Sequence, residues 1–145
     1  MFRFQLLASL REKGCETLVL APDWTPSLKA GVEDTIGALT EDYPLNRAGV
    51  SPLADLQTAV VLLWTFRRTR FSVVLTFQPK PNVYGILAAA LAGVPRRFAV
   101  VEGLGFAFTP GEDSLKKRWI RASLRMLYKL SFALAHKVFF LNPDD

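Results

Sequence analysis

Polar and glycine residues that could bind a phosphorylated ligand occur in three short segments of the chain. Residues 76–85 carry Gln78, Lys80 and Asn82, which alternate with Pro79 and Pro81. Residues 101–106 read Val-Glu-Gly-Leu-Gly-Phe, and residues 138–145 read Val-Phe-Phe-Leu-Asn-Pro-Asp-Asp. Each segment follows or ends an apolar, β-like run. Open α/β sheets place their ligand-facing loops at the carboxyl ends of the strands, so we expect all three segments at that edge of a sheet.

The second segment contains the candidate catalytic residue, Glu102. A glutamate at a strand end could accept a proton or a hydrogen bond from a substrate hydroxyl. The alternative is a carboxylate that caps the loop or pairs with an arginine. Gly103 and Gly105 would let the backbone approach a ligand closely, although an ordinary surface turn would use glycine equally well. The pattern lacks the third glycine of a dinucleotide-binding fingerprint.

The first segment offers one cation and two amides. Prolines restrict the backbone of residues 79–82, which are predicted to form a loop. Lys80 could bind a diphosphate as a point charge, with Gln78 and Asn82 beside it, and a helix beginning at Val83 would add N–H groups. A solvated lysine next to a capping asparagine is the alternative interpretation.

A basic helix is predicted over residues 114–135. Arg118, Arg121, Arg125 and Lys129 fall within an arc of about 80° at roughly 100° per residue. With Trp119 and Tyr128 on its flanks, this face is typical of attachment to anionic lipid headgroups. A solvated outer face of a core helix would show the same pattern.

Composition restricts the classes of function. Half of the 145 residues are hydrophobic and 21% are charged, which is typical of a globular domain with a core. One cysteine excludes an internal disulfide, and one cysteine with one histidine argues against a structural zinc site. We expect no metal site and no cofactor. The net charge of +5 favours anionic partners. No signal peptide and no apolar run of roughly 18–20 residues is visible, so we expect a cytoplasmic protein or one peripheral to a membrane.

Strands and helices are predicted to alternate, which indicates an α/β fold with a Rossmann-like parallel sheet and flanking helices. In the helix over residues 52–69, the apolar spacing predicts that Leu53, Leu56, Val60, Leu63 and Trp64 form the core face. The other helices are predicted over residues 2–13, 27–31 and 83–92, and the strands over residues 17–21, within 34–45, and over 71–77, 97–101 and 137–141.

The three segments, in this order and spacing, resemble the N-terminal, acceptor-side domain of bacterial family 4 glycosyltransferases of the GT-B type. The resemblance implies that residues 1–145 are this domain cut at both ends, without its first strand and without the C-terminal nucleotide-sugar domain. Such enzymes assemble O-antigen, capsule and similar polysaccharides. Many relatives carry threonine where this chain has Glu102.

The resemblance also implies a reaction and partners. A retaining transferase would move a sugar, without a bound metal, from a nucleotide donor to a polyprenyl-diphosphate-linked glycan at the inner face of the cell membrane. One alternative is a non-catalytic module that docks on membrane or glycolipid or regulates a transferase. A nucleic-acid-binding module is suggested by charge alone, and because no recognition motif is present we expect no nucleic-acid partner.

Overall fold

The computed structural model describes residues 2–46, 51–102 and 115–141, and it describes their side chains except those of Phe2 and residues 115–121. Strands and helices alternate along the chain, as predicted. The elements are α1 (Phe2–Glu12), β1 (Leu18–Ala21), α2 (Pro26–Ile36), β2 (Leu39–Asp42), α3 (Pro52–Thr69), β3 (Val73–Phe77), a π-helical turn (Pro81–Gly85), α4 (Ile86–Leu91), β4 (Arg96–Val101), α5 (Leu115–Leu134) and β5 (Lys137–Phe140).

Two compact units divide the chain, Met1–Leu45 and Asn46–Asp145. In the first, β1 and β2 pair in parallel, with Leu18 opposite Leu39, and α2 is the crossover between them. Thr25 caps α2 by accepting the N–H of Leu28 at 3.3 Å. Val32, Ile36 and Ala38 form the core of this unit, packed by Leu7, Val19 and Trp24.

Helix α2 is longer than the sequence analysis predicted. It runs to Ile36, and the predicted helix ended at residue 31. Pro26 lies in the first turn, and Gly37 closes the helix in the left-handed conformation at φ 70°. A capping residue with a proline after it and a glycine are the usual signals for the start and the end of a helix. These signals at the two ends of α2, rather than the composition of the residues between them, set the length of the helix.

The second unit contains a three-stranded parallel sheet in the order β3-β4-β5. Val73 pairs with Arg96 and Phe98 pairs with Lys137, so the three strands run in one direction. Helices α4 and α5 make the two crossovers. Ile86, Ala89 and Ala99 are fully buried between helix and sheet. This is the predicted α/β architecture with parallel strands and flanking helices.

The core face of α3 differs from the prediction. Leu53, Leu56, Val60 and Trp64 are between 55% and 82% exposed. The buried side of the helix instead presents Asp55, Thr58, Leu62, Thr65 and Phe66. This side combines two large apolar side chains, Leu62 and Phe66, with polar ones whose hydrogen bonds offset the cost of burial, as in Asp55 and Thr58.

Candidate functional site

The carboxyl ends of β3 and β4 lie side by side. Phe77, the last residue of β3, pairs with Val100, and Val101 ends β4. The segment that begins at Gln78 and the residue Glu102 therefore follow neighbouring strands at one edge of the sheet. This is the location that the spacing predicted.

Gln78 makes the turn out of β3. Its φ is 71°, in the left-handed region that non-glycine residues seldom adopt, and its side chain is exposed. Pro79 and Lys80 are already helical, so the predicted loop over residues 79–82 is wrong. Proline is tolerated in the first turn of a helix because the N–H that it lacks has no partner there in any case. The π-helical turn follows at once, and such turns are frequent at functional sites.

Asn82 lies inside the fold. It is 1% exposed, its Oδ1 accepts the hydroxyl of Thr76 at 2.7 Å, and its Nδ2 donates to the carbonyl of Val100 at 2.8 Å. The hydroxyl of Ser131 donates to the Asn82 carbonyl. This geometry does not support the predicted ligand contact, because the amide already ties β3 to β4 and is shielded from solvent.

Lys80 forms an ion pair with a buried carboxylate. Its Nζ donates to Asp55 Oδ1 at 2.7 Å, and Tyr84 donates its hydroxyl to Asp55 Oδ2 at 3.1 Å. The side chains of Asp55 and Lys80 are 6% and 20% exposed. The lysine therefore lies at the predicted edge but is not the solvated side chain of the alternative interpretation.

Burial raises the pKa of Tyr84 to about 12, and the charge of Asp55 and the hydrogen bond to it act in the same direction. A neutral hydroxyl can donate to the carboxylate, whereas a phenolate would repel it. Asp55 thus has two donors, a cation and a phenol, from the segment that follows β3.

Glu102 directly follows the buried end of β4 and is half-buried. Leu141, just past β5, donates its N–H to the Val101 carbonyl at 3.0 Å and so continues the pairing beside Glu102. On the other side of β4, the pairing of Phe77 with Val100 places Glu102 and the segment that begins at Gln78 at the same edge of the sheet. Gly103 and Gly105 lie outside the described residues, as do residues 142–145.

Helix α5 supports the site from behind and turns part of its surface outward. Arg125 and Lys129 are exposed, as the lipid-facing prediction requires. Tyr128 was expected at the headgroup flank but is 7% exposed and packs on Phe132 with ring centroids 5.2 Å apart, and this burial raises its pKa. The structure does not describe the side chains of Arg118, Trp119 and Arg121.

His136 follows α5 and stabilises the sheet through hydrogen bonds to the backbone of Arg97. Its Nδ1 accepts the backbone N–H of Arg97 at 3.2 Å, and the backbone N–H of His136 donates to the Arg97 carbonyl at 2.7 Å. The Arg97 side chain donates from Nε to the Leu134 carbonyl at 2.8 Å. These bonds join the start of β5 to the start of β4, at the edge opposite Glu102.

A cavity of about 380 Å³ opens at that opposite edge, lined by the ends of α3 and α4 and including Arg67, Arg70 and Phe71. None of the predicted site residues lines it. Among the residues that the structure describes, no group of three or more histidine, cysteine, aspartate or glutamate side chains could hold a metal ion. Within the same described residues, no helix is both long and apolar enough to cross a membrane.

Residues 4–145 match the model of the glycosyl transferase 4-like domain. One similar protein is N,N'-diacetylbacillosaminyl-diphospho-undecaprenol alpha-1,3-N-acetylgalactosaminyltransferase from Campylobacter jejuni subsp. jejuni serotype O:2, at 31% identity over 146 residues. The aligned region covers 99% of this chain and 37% of that relative, so the chain spans well under half of the relative's length. Since the family model covers nearly all of its residues, the chain belongs to the glycosyl transferase 4-like domain family.

Proposed function

We propose that this chain is the acceptor-binding part of a retaining glycosyltransferase, which moves a sugar from a nucleotide donor to a polyprenyl-diphosphate-linked glycan. Family membership over residues 4–145 carries the proposal. The Campylobacter relative is named for an acceptor of this kind, a sugar joined through a diphosphate to undecaprenol. Assembly of cell-surface polysaccharide is the corresponding biological role.

The residues given roles in this proposal lie at, or directly follow, the carboxyl edge of the sheet. Lys80 binds the diphosphate, with the exposed Gln78 beside it. Glu102 accepts a proton or hydrogen bond from the attacking sugar hydroxyl. Gly103 and Gly105 let the backbone approach the glycan. The nucleotide sugar binds to a second domain outside these 145 residues, and the reaction uses no bound metal.

The acceptor lipid would keep the protein at the inner face of the cell membrane as a peripheral protein. The exposed Arg125 and Lys129 of α5, together with Arg118, Trp119 and Arg121, would face anionic headgroups. A sequence pI near 9.7 is in keeping with this placement.

Steady-state kinetics of the complete transferase test the proposal, with a polyprenyl-diphosphate-linked sugar as acceptor and a panel of nucleotide sugars as donors. We expect Glu102→Gln to lower kcat by about 10²–10⁴-fold if Glu102 is the general base, with the donor KM unchanged. If Glu102 only orients the hydroxyl, the acceptor KM rises instead. Glu12→Gln, a change of the same type at an exposed site on α1, should behave as wild type.

Nuclear magnetic resonance of the product tests the stereochemistry, since a retaining enzyme keeps the anomeric configuration of its donor. Wild-type turnover of Glu102→Gln, or a defect confined to the donor KM, would remove Glu102 from the site. An absence of transfer to any lipid-diphosphate-linked sugar would remove the proposed acceptor class.

A further inference from the structure

A buried carboxylate lies beside Lys80, the residue that is proposed to bind the diphosphate. Asp55 comes from the first turn of α3, 25 residues before Lys80 in sequence, and is 4% exposed. An ionised carboxylate out of water needs donors, and Asp55 has two, the ammonium of Lys80 and the hydroxyl of Tyr84. Both donors lie on the segment that follows β3, so the carboxylate attaches that segment to α3.

Among the residues that the structure describes, Asp55 is the partner of the Lys80 ammonium. A lysine ammonium has three N–H donors, and one of them is directed at Asp55 Oδ1 at 2.7 Å. The Lys80 side chain is still 20% exposed, which gives a ligand access to the remaining donors. A lysine in water samples many rotamers, whereas this one is anchored by a buried partner, so less conformational entropy is lost when a ligand binds.

We propose that Asp55 and Tyr84 are positioning residues, which hold the Lys80 ammonium so that its remaining donors bind a phosphate of the acceptor's diphosphate. This inference rests on the proposed function, in which Lys80 meets that diphosphate. Asp55 itself touches no ligand. Tyr84 keeps the carboxylate oriented by donating to its second oxygen.

Positioning and plain electrostatics predict opposite results when the Asp55 charge is removed. Asp55→Asn makes the site more positive by one charge, so a purely coulombic site would bind a diphosphate more tightly. A site that depends on a positioned ammonium would bind it more weakly, because Lys80 loses its anchor. A carboxylate that only stabilises the fold would leave the affinity of the folded protein unchanged.

Isothermal titration calorimetry of the 145-residue chain with geranyl diphosphate separates these cases. We expect affinity to fall by about tenfold in Lys80→Met and in Asp55→Asn, the range of one charge-assisted hydrogen bond, and by about threefold in Tyr84→Phe. Inorganic pyrophosphate and geraniol, titrated in parallel, show whether the diphosphate alone is enough or the isoprenoid also contributes.

Two control variants match the charge changes. Asp42→Asn removes another carboxylate that pairs with a lysine, Lys29 at 2.8 Å, on the more exposed surface of the first unit. Lys29→Met removes its partner. Neither should weaken geranyl diphosphate binding by more than about twofold, since exposed charges act weakly. Circular dichroism and thermal melts establish that each variant is folded.

The outcomes separate a failure of the positioning role of Asp55 and Tyr84 from a failure of the proposed binding of diphosphate by Lys80. If Lys80→Met weakens binding but Asp55→Asn and Tyr84→Phe bind as wild type or more tightly, the positioning role is overturned and the Lys80 assignment stands. If Asp55→Asn fails to fold, Tyr84→Phe decides, because it removes one hydroxyl and leaves the ion pair. An absence of binding by wild type, or full binding by Lys80→Met, overturns both.

Discussion

Asn82 shows how a polar residue next to a site can serve the fold. Its amide satisfies the Thr76 hydroxyl on one side and the Val100 carbonyl on the other, and all of these groups are buried. The carbonyl of Asn82 also accepts from Ser131 on α5. One side chain and its backbone therefore fix the relative positions of β3, β4 and α5 directly behind Lys80.

Replacing Asn82 should destabilise the protein much more than replacing its exposed neighbour. Asn82→Ala takes the amide donor from the buried Val100 carbonyl and leaves the Thr76 hydroxyl with only a long contact of 3.4 Å to the Phe98 carbonyl, and we expect a loss of about 2–4 kcal/mol in the free energy of unfolding. Gln78→Ala removes an exposed amide from the same turn and should cost less than about 0.5 kcal/mol. Urea denaturation measures both. Equal losses would show that the amide network adds little.

Tyr84 should make the free energy of unfolding vary with pH in the alkaline range. Its pKa in the fold is about 12, above the value of about 10 for an unfolded tyrosine. The folded state therefore holds this proton more tightly, so the stabilisation is complete below about pH 10 and is lost as the pH rises through about 12.

Comparison with Tyr84→Phe isolates this contribution, because other groups that titrate in alkali are common to both proteins. We expect the difference in free energy of unfolding between wild type and Tyr84→Phe to narrow as pH rises from about 10 towards 12. Urea denaturation at intervals across that range measures the difference. A constant difference would mean that the hydroxyl has no perturbed ionisation.

Sequence reasoning predicted where part of the candidate site lies in the fold, because some of the signals are local. Lys80 and Glu102 each follow a recognisable strand, so their place at the carboxyl edge could be predicted. Asp55 and Tyr84 were missed, since Asp55 is separated from Lys80 by 25 residues and from Tyr84 by 29. An aspartate in the first turn of a helix already has a sufficient explanation in the helix dipole. Only the packing of α3 shows that Asp55 also pairs with Lys80 and Tyr84.

At the scale of the elements, most helix and strand boundaries were predictable, but the end of α2, the helical start at Pro79 and the buried face of α3 were not. Caps, prolines and glycines mark boundaries locally, and the predicted limits of α3 and β4 lie within one residue of those observed. The face was assigned from apolar spacing. Thr58 occupies the interior instead, with its hydroxyl donating to the Ala54 carbonyl at 3.0 Å, so a polar residue is buried at little cost.

Two leucines of α3 provide a matched test of that correction. Leu62 is 3% exposed and Leu56 is 60% exposed. Leu62→Ala should lower the free energy of unfolding by about 2–4 kcal/mol through lost burial and the cavity it leaves. Leu56→Ala keeps the helix, because alanine is the best helix former, and should change stability by less than about 0.5 kcal/mol. A larger loss for Leu56 would restore the face predicted from the sequence.

At the scale of the whole molecule, the excess of positive charge is the property that bears on where the protein acts. The formal net charge is +5, and four of the cations fall on the predicted lipid-facing arc of α5. Arg125 and Lys129 of that arc are exposed. The inward side of the same helix contributes Tyr128 and Ser131 to the interior, so α5 is divided between a supporting face and a basic face.

Changing Arg118, Arg121, Arg125 and Lys129 together to glutamine tests whether the basic face docks on membrane. Each cation near an anionic surface contributes about 1 kcal/mol, so binding to vesicles that contain phosphatidylglycerol should fall by about a hundredfold or more. Wild-type binding should also weaken as salt is raised, because salt screens charges at this range. A control with Arg3, Arg11, Lys13 and Arg96 changed to glutamine loses the same charge from other exposed positions and should retain most of the binding. Equal losses in the two variants would mean that net charge alone attracts the protein, and binding that ignores both salt and anionic lipid would leave α5 with only its supporting role.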